Sequence, residues 1–114
     1  MLRVLNVSKE FSDIPGPRYI SEGAFSGELF RETVLFPLVK ECIDKGDELE
    51  INLDGTQGYG TSFLEEAFGG LVRENHLSLD AVTGCIHFIT NEEPYLEDDI
   101  RQYFEDAANE ANIK

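Results

Sequence analysis

A chain that passes from an alternating strand through a glycine-rich loop into a patterned helix has few folds open to it, and residues 49–75 make that passage. Leu49-Glu50-Ile51-Asn52-Leu53 alternates apolar and polar side chains, the period of a half-buried strand. Asp54-Gly55-Thr56-Gln57-Gly58-Tyr59-Gly60-Thr61 follows as a loop with three glycines. Ser62-Phe63-Leu64-Glu65 then has the form of a capping box, with Ser62 as N-cap and Glu65 reaching back. Behind it Leu64, Ala67, Phe68, Leu71 and Val72 recur at helical spacing. Gly69-Gly70 inside this helix costs about 1 kcal/mol per residue relative to alanine. The compensation expected for it is close packing against the sheet.

The flanking segments extend the alternation. Residues 1–8 read as a strand, and residues 12–25, with Pro15-Gly16-Pro17 and Gly23, as a loop holding a short strand near Arg18–Ile20. Ser26 is placed to cap a helix running to about Asp44 and closed by Gly46, with a kink expected at Pro37. Residues 77–84 read as a turn with one helical turn, and Cys85-Ile86-His87-Phe88-Ile89 as a strand. Thr90-Asn91-Glu92-Glu93-Pro94 supplies the start of a last helix, whose inner stripe is Leu96, Ile100, Tyr103, Phe104 and Ala107. The order β–α–β–α–β–α, with no linker or repeat, predicts one α/β domain over residues 1–114.

Charge narrows the partners. Nine basic residues stand against 23 acidic ones, a net −14 on 114 residues. Residues 1–40 carry five of each sign, so the whole excess lies in residues 41–114. Such a surface repels phosphate backbones and anionic lipid, which argues against nucleic acid and membrane as partners. Residues 91–112 bring eight acids against Arg101, so one side of the domain is expected to be strongly negative and a partner docking there to be basic. The longest unbroken apolar stretch, Val34 to Val39, contains a proline and is far too short to span a bilayer. The N-terminus lacks a signal-peptide apolar region, which makes the cytoplasm the default location. Cys42 and Cys85 lie among apolar residues and read as buried reduced thiols.

The candidates for chemistry converge on the glycine loop. Glycines let backbone approach a ligand, and a helix start presents free N–H groups, so Asp54, Gly55, Gly58, Tyr59 and Gly60 are candidate ligand or partner contacts. Gly55 and Gly60-Thr61-Ser62 overlap the phosphate-loop pattern, but Thr61 stands where its lysine belongs. Arg18 reaches either an anion at this helix or a salt-bridge partner. Glu65-Glu66 and Asp98-Asp99, adjacent on helices, read as solvated faces. His76, His87 and the cysteines show no metal spacing, and no motif sets a base beside a nucleophile. Neither an enzyme nor a cofactor or metal is expected.

The run Asp54-Gly55-Thr56-Gln57-Gly58-Tyr59-Gly60-Thr61-Ser62-Phe63-Leu64-Glu65-Glu66-Ala67-Phe68-Gly69-Gly70-Leu71 strongly resembles the bacterial STAS-like domain family of unknown function. Arg18-Tyr19 and Phe25-Ser26-Gly27-Glu28-Leu29-Phe30-Arg31 resemble its upstream segment, so the likeness covers roughly residues 15–105. The resemblance implies a single STAS-like domain, a mixed open sheet of about four strands with three main helices, related to anti-sigma factor antagonists. In those relatives a Ser or Thr at the start of the second main helix is phosphorylated by a GHKL-type kinase, and this switches partner binding. The matching positions are Ser62 and Thr61, although the antagonists carry Asp-Ser-Ser-Gly where this chain has Gly60-Thr61-Ser62-Phe63. The resemblance thus implies a regulatory protein-binding module with a GHKL-type ATPase or kinase as partner. The alternative is a small-ligand module holding phosphate or a nucleotide in the 54–62 loop.

Overall fold

In the computed structural model, which describes residues 1–113, three parallel strands form one sheet in the order β1-β2-β3. These are β1 (Leu2–Asn6), β2 (Glu48–Asn52) and β3 (Ile86–Ile89), with Leu2 registered on Glu48 and Leu49 on Ile86. The α/β class stands, with three strands, all parallel, in place of a mixed sheet of about four. Residues 18–20 form no strand because their backbone is committed locally. The Pro17 and Arg18 carbonyls accept the Gly27 and Glu28 N–H groups, and the chain turns through a 3₁₀ segment at Ile20–Glu22.

Five helices occur among the described residues: α1 (Val7–Glu10), α2 (residues 27–45), α3 (residues 61–73), α4 (Leu79–Cys85) and α5 (Leu96–Ile113). The first strand stops at Asn6 because the Asn6 side chain accepts the Lys9 N–H and starts α1. Ser26 caps α2 as expected, its hydroxyl accepting the Leu29 N–H at 3.0 Å. Ser78 starts α4, which is longer than the single turn expected there and leaves β3 to begin at Ile86.

One correction concerns the helices, and the proline of α2 brings an adjustment of its own. Ser62 does not cap α3. The helix starts at Thr61, with extended Gly60 as an N-cap that lends no side chain, and Glu65 turns away to arginines. At Pro37 the helix continues. A widened turn over Arg31–Leu35 precedes it, and the Phe36 N–H bonds to the Arg31 carbonyl five residues back. That widening makes room for a ring which would strike the preceding turn of a regular helix.

Strand parity sets the layers. Leu5, Leu49, Ile51 and Ile86 point into the core, while Leu2, Val4, Glu48 and His87 are exposed on the opposite face. The core joins these strand residues to Phe30, Phe63, Phe68 and Phe104 of α2, α3 and α5. Phe30 stacks on Phe63 with centroids 5.8 Å apart, and Phe68 meets Phe104 edge-on at 6.2 Å. Offset and edge-on pairs of this kind add to area burial.

Candidate functional site

All three strands run in one direction, so the segments that follow them gather at one end of the sheet. Gln57 N–H donates to the Asp13 carbonyl at 2.8 Å, joining the glycine loop to the segment after β1. The segment after β3 is tied more firmly. The Asp54 carboxylate accepts the N–H groups of Asn91 and Glu92 at 3.1 and 3.0 Å, and the Asn91 side-chain amide at 3.2 Å. In return the Gly55 N–H donates to Glu92 Oε1 at 2.8 Å. The Glu92 backbone hydrogen bond first, and those from Asn91, hold the Asp54 carboxyl below its usual range.

The sequence candidates therefore divide. Asp54 and Gly55 form a clamp. Gly55 has φ of +94°, and a Cβ there would lie 2.8 Å from Ser8 Oγ, so only glycine fits beside α1. Tyr59 donates its hydroxyl to the Leu53 carbonyl at 2.9 Å and packs on Phe63. Burial pushes its phenol well above the usual value. Gly58 and Gly60 border open space, and Thr61 and Ser62 are exposed. Of these residues, only Ser62 shares a groove with Arg18. The groove holds about 400 Å³ and is lined by Pro17, Arg18, Tyr19, Glu22 and Ser62.

Arg18 is already paired. It donates to Glu65 Oε1, lies 3.6 Å from Glu66 Oε1, and stands over the Tyr19 ring. Behind it runs a network that contradicts the assignment of Glu65-Glu66 to a solvated face. Arg31 Nη2 donates to Glu66 Oε2 at 2.9 Å, Arg31 Nε to the Glu66 carbonyl at 3.2 Å, and Nη1 to Asn75 Oδ1 at 3.0 Å. Arg73 donates to Glu65 Oε2 at 2.6 Å and to Glu66 Oε1 at 3.4 Å. Burial raises the Glu65 carboxyl, but hydrogen bonds from Arg73 and Arg18 outweigh it and hold the group below its usual range.

The Gly69-Gly70 pair also finds its reason here instead of at the sheet. A Cβ on Gly70 would sit 2.4 Å from Arg31 Nε, and one on Gly69 would sit 2.6 Å from Glu65 Oε2. The widened turn at Glu65–Gly69 lies where these groups meet.

The 12–27 loop, which supplies most of the groove's lining, turns apolar side chains outward. Ile14, Tyr19, Ile20 and Phe25 are 45–56% exposed. The loop that carries them is well tied: Gly16 N–H donates to the Phe25 carbonyl at 2.8 Å, and Ile20 N–H to Glu28 Oε1 at 2.9 Å. Phe25 sits in the left-handed region with φ of 56°, its ring edge-on to Phe11. A non-glycine residue held there stores strain, which concentrates at functional sites. The apolar residues of this segment are visible in the sequence, but that all four turn outward is not, because an irregular loop has no period from which to read a face.

The remaining candidates lie elsewhere. His87 bonds Glu48 at 2.9 Å on the outer sheet face, and His76 takes a left-handed turn after α3. Cys42 and Cys85 are both free and buried. Among the described residues, no three His, Cys, Asp or Glu side chains gather so as to hold a metal ion, and no helix is long and apolar enough to cross a membrane.

Neither the curated proteins nor the solved structures contain a match to this chain. A family model does match: the STAS-like domain of unknown function, over residues 26–96. The matched segment takes in α2, the glycine loop, α3 and the network between them, and begins after Arg18 and Tyr19. It spans more than half of the sequence, and the chain belongs to the family of STAS-like domains of unknown function.

Proposed function

We propose that this domain is a non-enzymatic regulatory module that binds a protein partner through the 12–27 loop and the exposed start of α3. The observation that carries this reading is the outward set of Ile14, Tyr19, Ile20 and Phe25 on a hydrogen-bonded loop, of which Tyr19 shares a groove with exposed Ser62. Apolar side chains held out by an ordered loop are the usual anchors of a protein contact. The partner is a basic protein surface, which complements the net charge of −14, and by family resemblance a GHKL-type ATPase or kinase in the cytoplasm.

Ser62, or Thr61 beside it, is the phosphoacceptor in this reading. A phosphate on Ser62 enters the groove that Arg18 lines, and there it competes with Glu65 for the guanidinium. The added charge both draws Arg18 and changes what the 12–27 loop offers a partner.

The test is incubation with ATP and native lysate, followed by intact mass and site mapping, with partner binding measured for Ser62→Asp, Thr61→Asp and Ile20→Asp. The expected result is one added phosphate at Ser62 or Thr61, a changed affinity in the Asp variants, and lost binding in Ile20→Asp. An unshifted mass at all times, with equal binding in all four proteins, sinks the proposal.

The small-ligand alternative keeps one supporting observation, the same groove with Arg18 in its wall. Thermal stabilisation by phosphate or nucleotide that is lost in Arg18→Ala would favour it.

A further inference from the structure

We propose that Cys42 and Cys85 form a modification site, a thiol pair placed to close into a reversible disulfide joining the end of α2 to the junction of α4 and β3. The two residues are 43 positions apart and lie on different elements, yet both line one open cavity of about 300 Å³. Cys85 Sγ donates to the Asp47 carbonyl at 3.7 Å. Cys42 lies in the last turns of α2, where its carbonyl accepts the Asp47 N–H at 2.8 Å. Cys85 is the final residue of α4. Cys42 through its carbonyl and Cys85 through its sulfur thus both hold to Asp47, so the two helix ends meet at one residue, and closing the pair asks the two sulfurs to come into disulfide geometry there.

The oxidant is a low-molecular-weight disulfide, such as oxidised glutathione. Cys85 reacts first, because it is 6% exposed and Cys42 is fully buried. Its thiolate attacks one glutathione sulfur, the glutathione S–S bond breaks, and one glutathione thiolate leaves with the electron pair. The Cys42 thiolate then attacks the Cys85 sulfur and expels the second glutathione. Two protein thiols are oxidised, one glutathione disulfide is reduced to two thiols, and the two protein protons are taken up by the glutathione products.

Both steps need thiolate. Burial pushes the Cys85 thiol up to about 11 and raises Cys42 as well. Arg3 of β1 favours the Cys42 thiolate, while Glu41 of α2, Asp47 and Glu48 oppose charge at the pair, and Asp80 of α4 lines the same cavity. The exchange is therefore slow at neutral pH and quickens as the pH rises. The pair responds to a sustained oxidising environment and not to a brief pulse.

The experiment treats reduced protein with oxidised glutathione at pH 7 and pH 9, quenches with acid, alkylates, and reads intact and peptide masses. The expected product is a monomer lighter by about 2 Da for two hydrogens lost, with no alkylatable thiol. It yields one peptide pair joined through Cys42 and Cys85, forms faster at pH 9, and reverts with dithiothreitol. In Cys42→Ser the same treatment leaves a lasting glutathione adduct on Cys85. Persistent glutathione adducts on the wild type, disulfide-linked dimers, or two thiols still alkylated at equilibrium overturn the proposal. The wild-type arm decides the matter even if the variant fails to fold, and it does not depend on the partner-binding reading.

Discussion

Arg31 and Glu66 meet at 2.9 Å across the widened turns of two helices, and each side chain is only 5% exposed. Desolvating both charges costs about as much as their attraction returns, so the pair's weight shows when it is broken. Glu66→Ala strands the Arg31 guanidinium and is expected to cost about 3–5 kcal/mol in urea unfolding. Arg31→Met should cost a similar amount, and Arg31→Met with Glu66→Leu clearly less than either alone, because no charge is left unpaired. A double variant as unstable as the sum of the singles would mean that Arg31 and Glu66 are not coupled and would overturn this reading.

The sequence contained a signal for this pair that an apolar-stripe reading passes over. Gly27, Arg31, Leu35 and Val39 are spaced by four residues, which places Arg31 on the buried stripe of α2. Phe63, Glu66, Ala67 and Gly70 do the same for Glu66 on α3. A charge on each of two buried stripes, with a glycine one turn away, announces a desolvated ion pair needing room. Strand β2 and the core stripe of α3 were legible because both follow a simple period. The Ser62 cap was not, since a capping-box pattern cannot reveal that arginines from elsewhere compete for its glutamate. Nor could the spacing show that Asp54 closes on the turn after β3 instead of facing a ligand.

Glycine substitutions separate space from helix propensity. At Gly84 in α4 an added methyl group would meet no atom within 4 Å, so Gly84→Ala is expected to stabilise by about 0.5–1 kcal/mol. Gly70→Ala has the same propensity gain but drives a Cβ to 2.4 Å from Arg31 Nε, a group held by hydrogen bonds to Glu66. It should destabilise by about 1–3 kcal/mol. Gly27→Ala meets the Phe63 carbonyl oxygen at 2.4 Å, where the whole start of α3 must move, and should cost the most of the three. Thermal melts of the three single variants check this order.

Asp54→Ala is expected to loosen one end of the sheet without unfolding the domain. The carboxylate is the acceptor for the Asn91 and Glu92 amides, and in the variant water takes its place at these exposed positions. Hydrogen exchange at those two amides should quicken, while exchange at the β2 amides Leu49 and Ile51 stays as in the wild type. Equal protection at residues 91 and 92 in both proteins would show that the turn holds by itself.

The Glu65 carboxyl is held below its ordinary value, with hydrogen bonds from Arg73 and Arg18 overcoming the penalty of burial. A carboxyl whose folded value lies below its unfolded one binds fewer protons when folded, so its contribution is complete above about pH 4.3, the unfolded value. That contribution disappears as the pH falls from there through the lowered folded value. Stability measured by urea unfolding should therefore decline below about pH 4.3 more steeply in the wild type than in Glu65→Gln, which cannot titrate. Asp54, also held low, titrates in the same range and keeps some slope in the variant. The comparison between the two proteins isolates Glu65: superimposable profiles would mean that Arg18 and Arg73 do not distinguish its charged form.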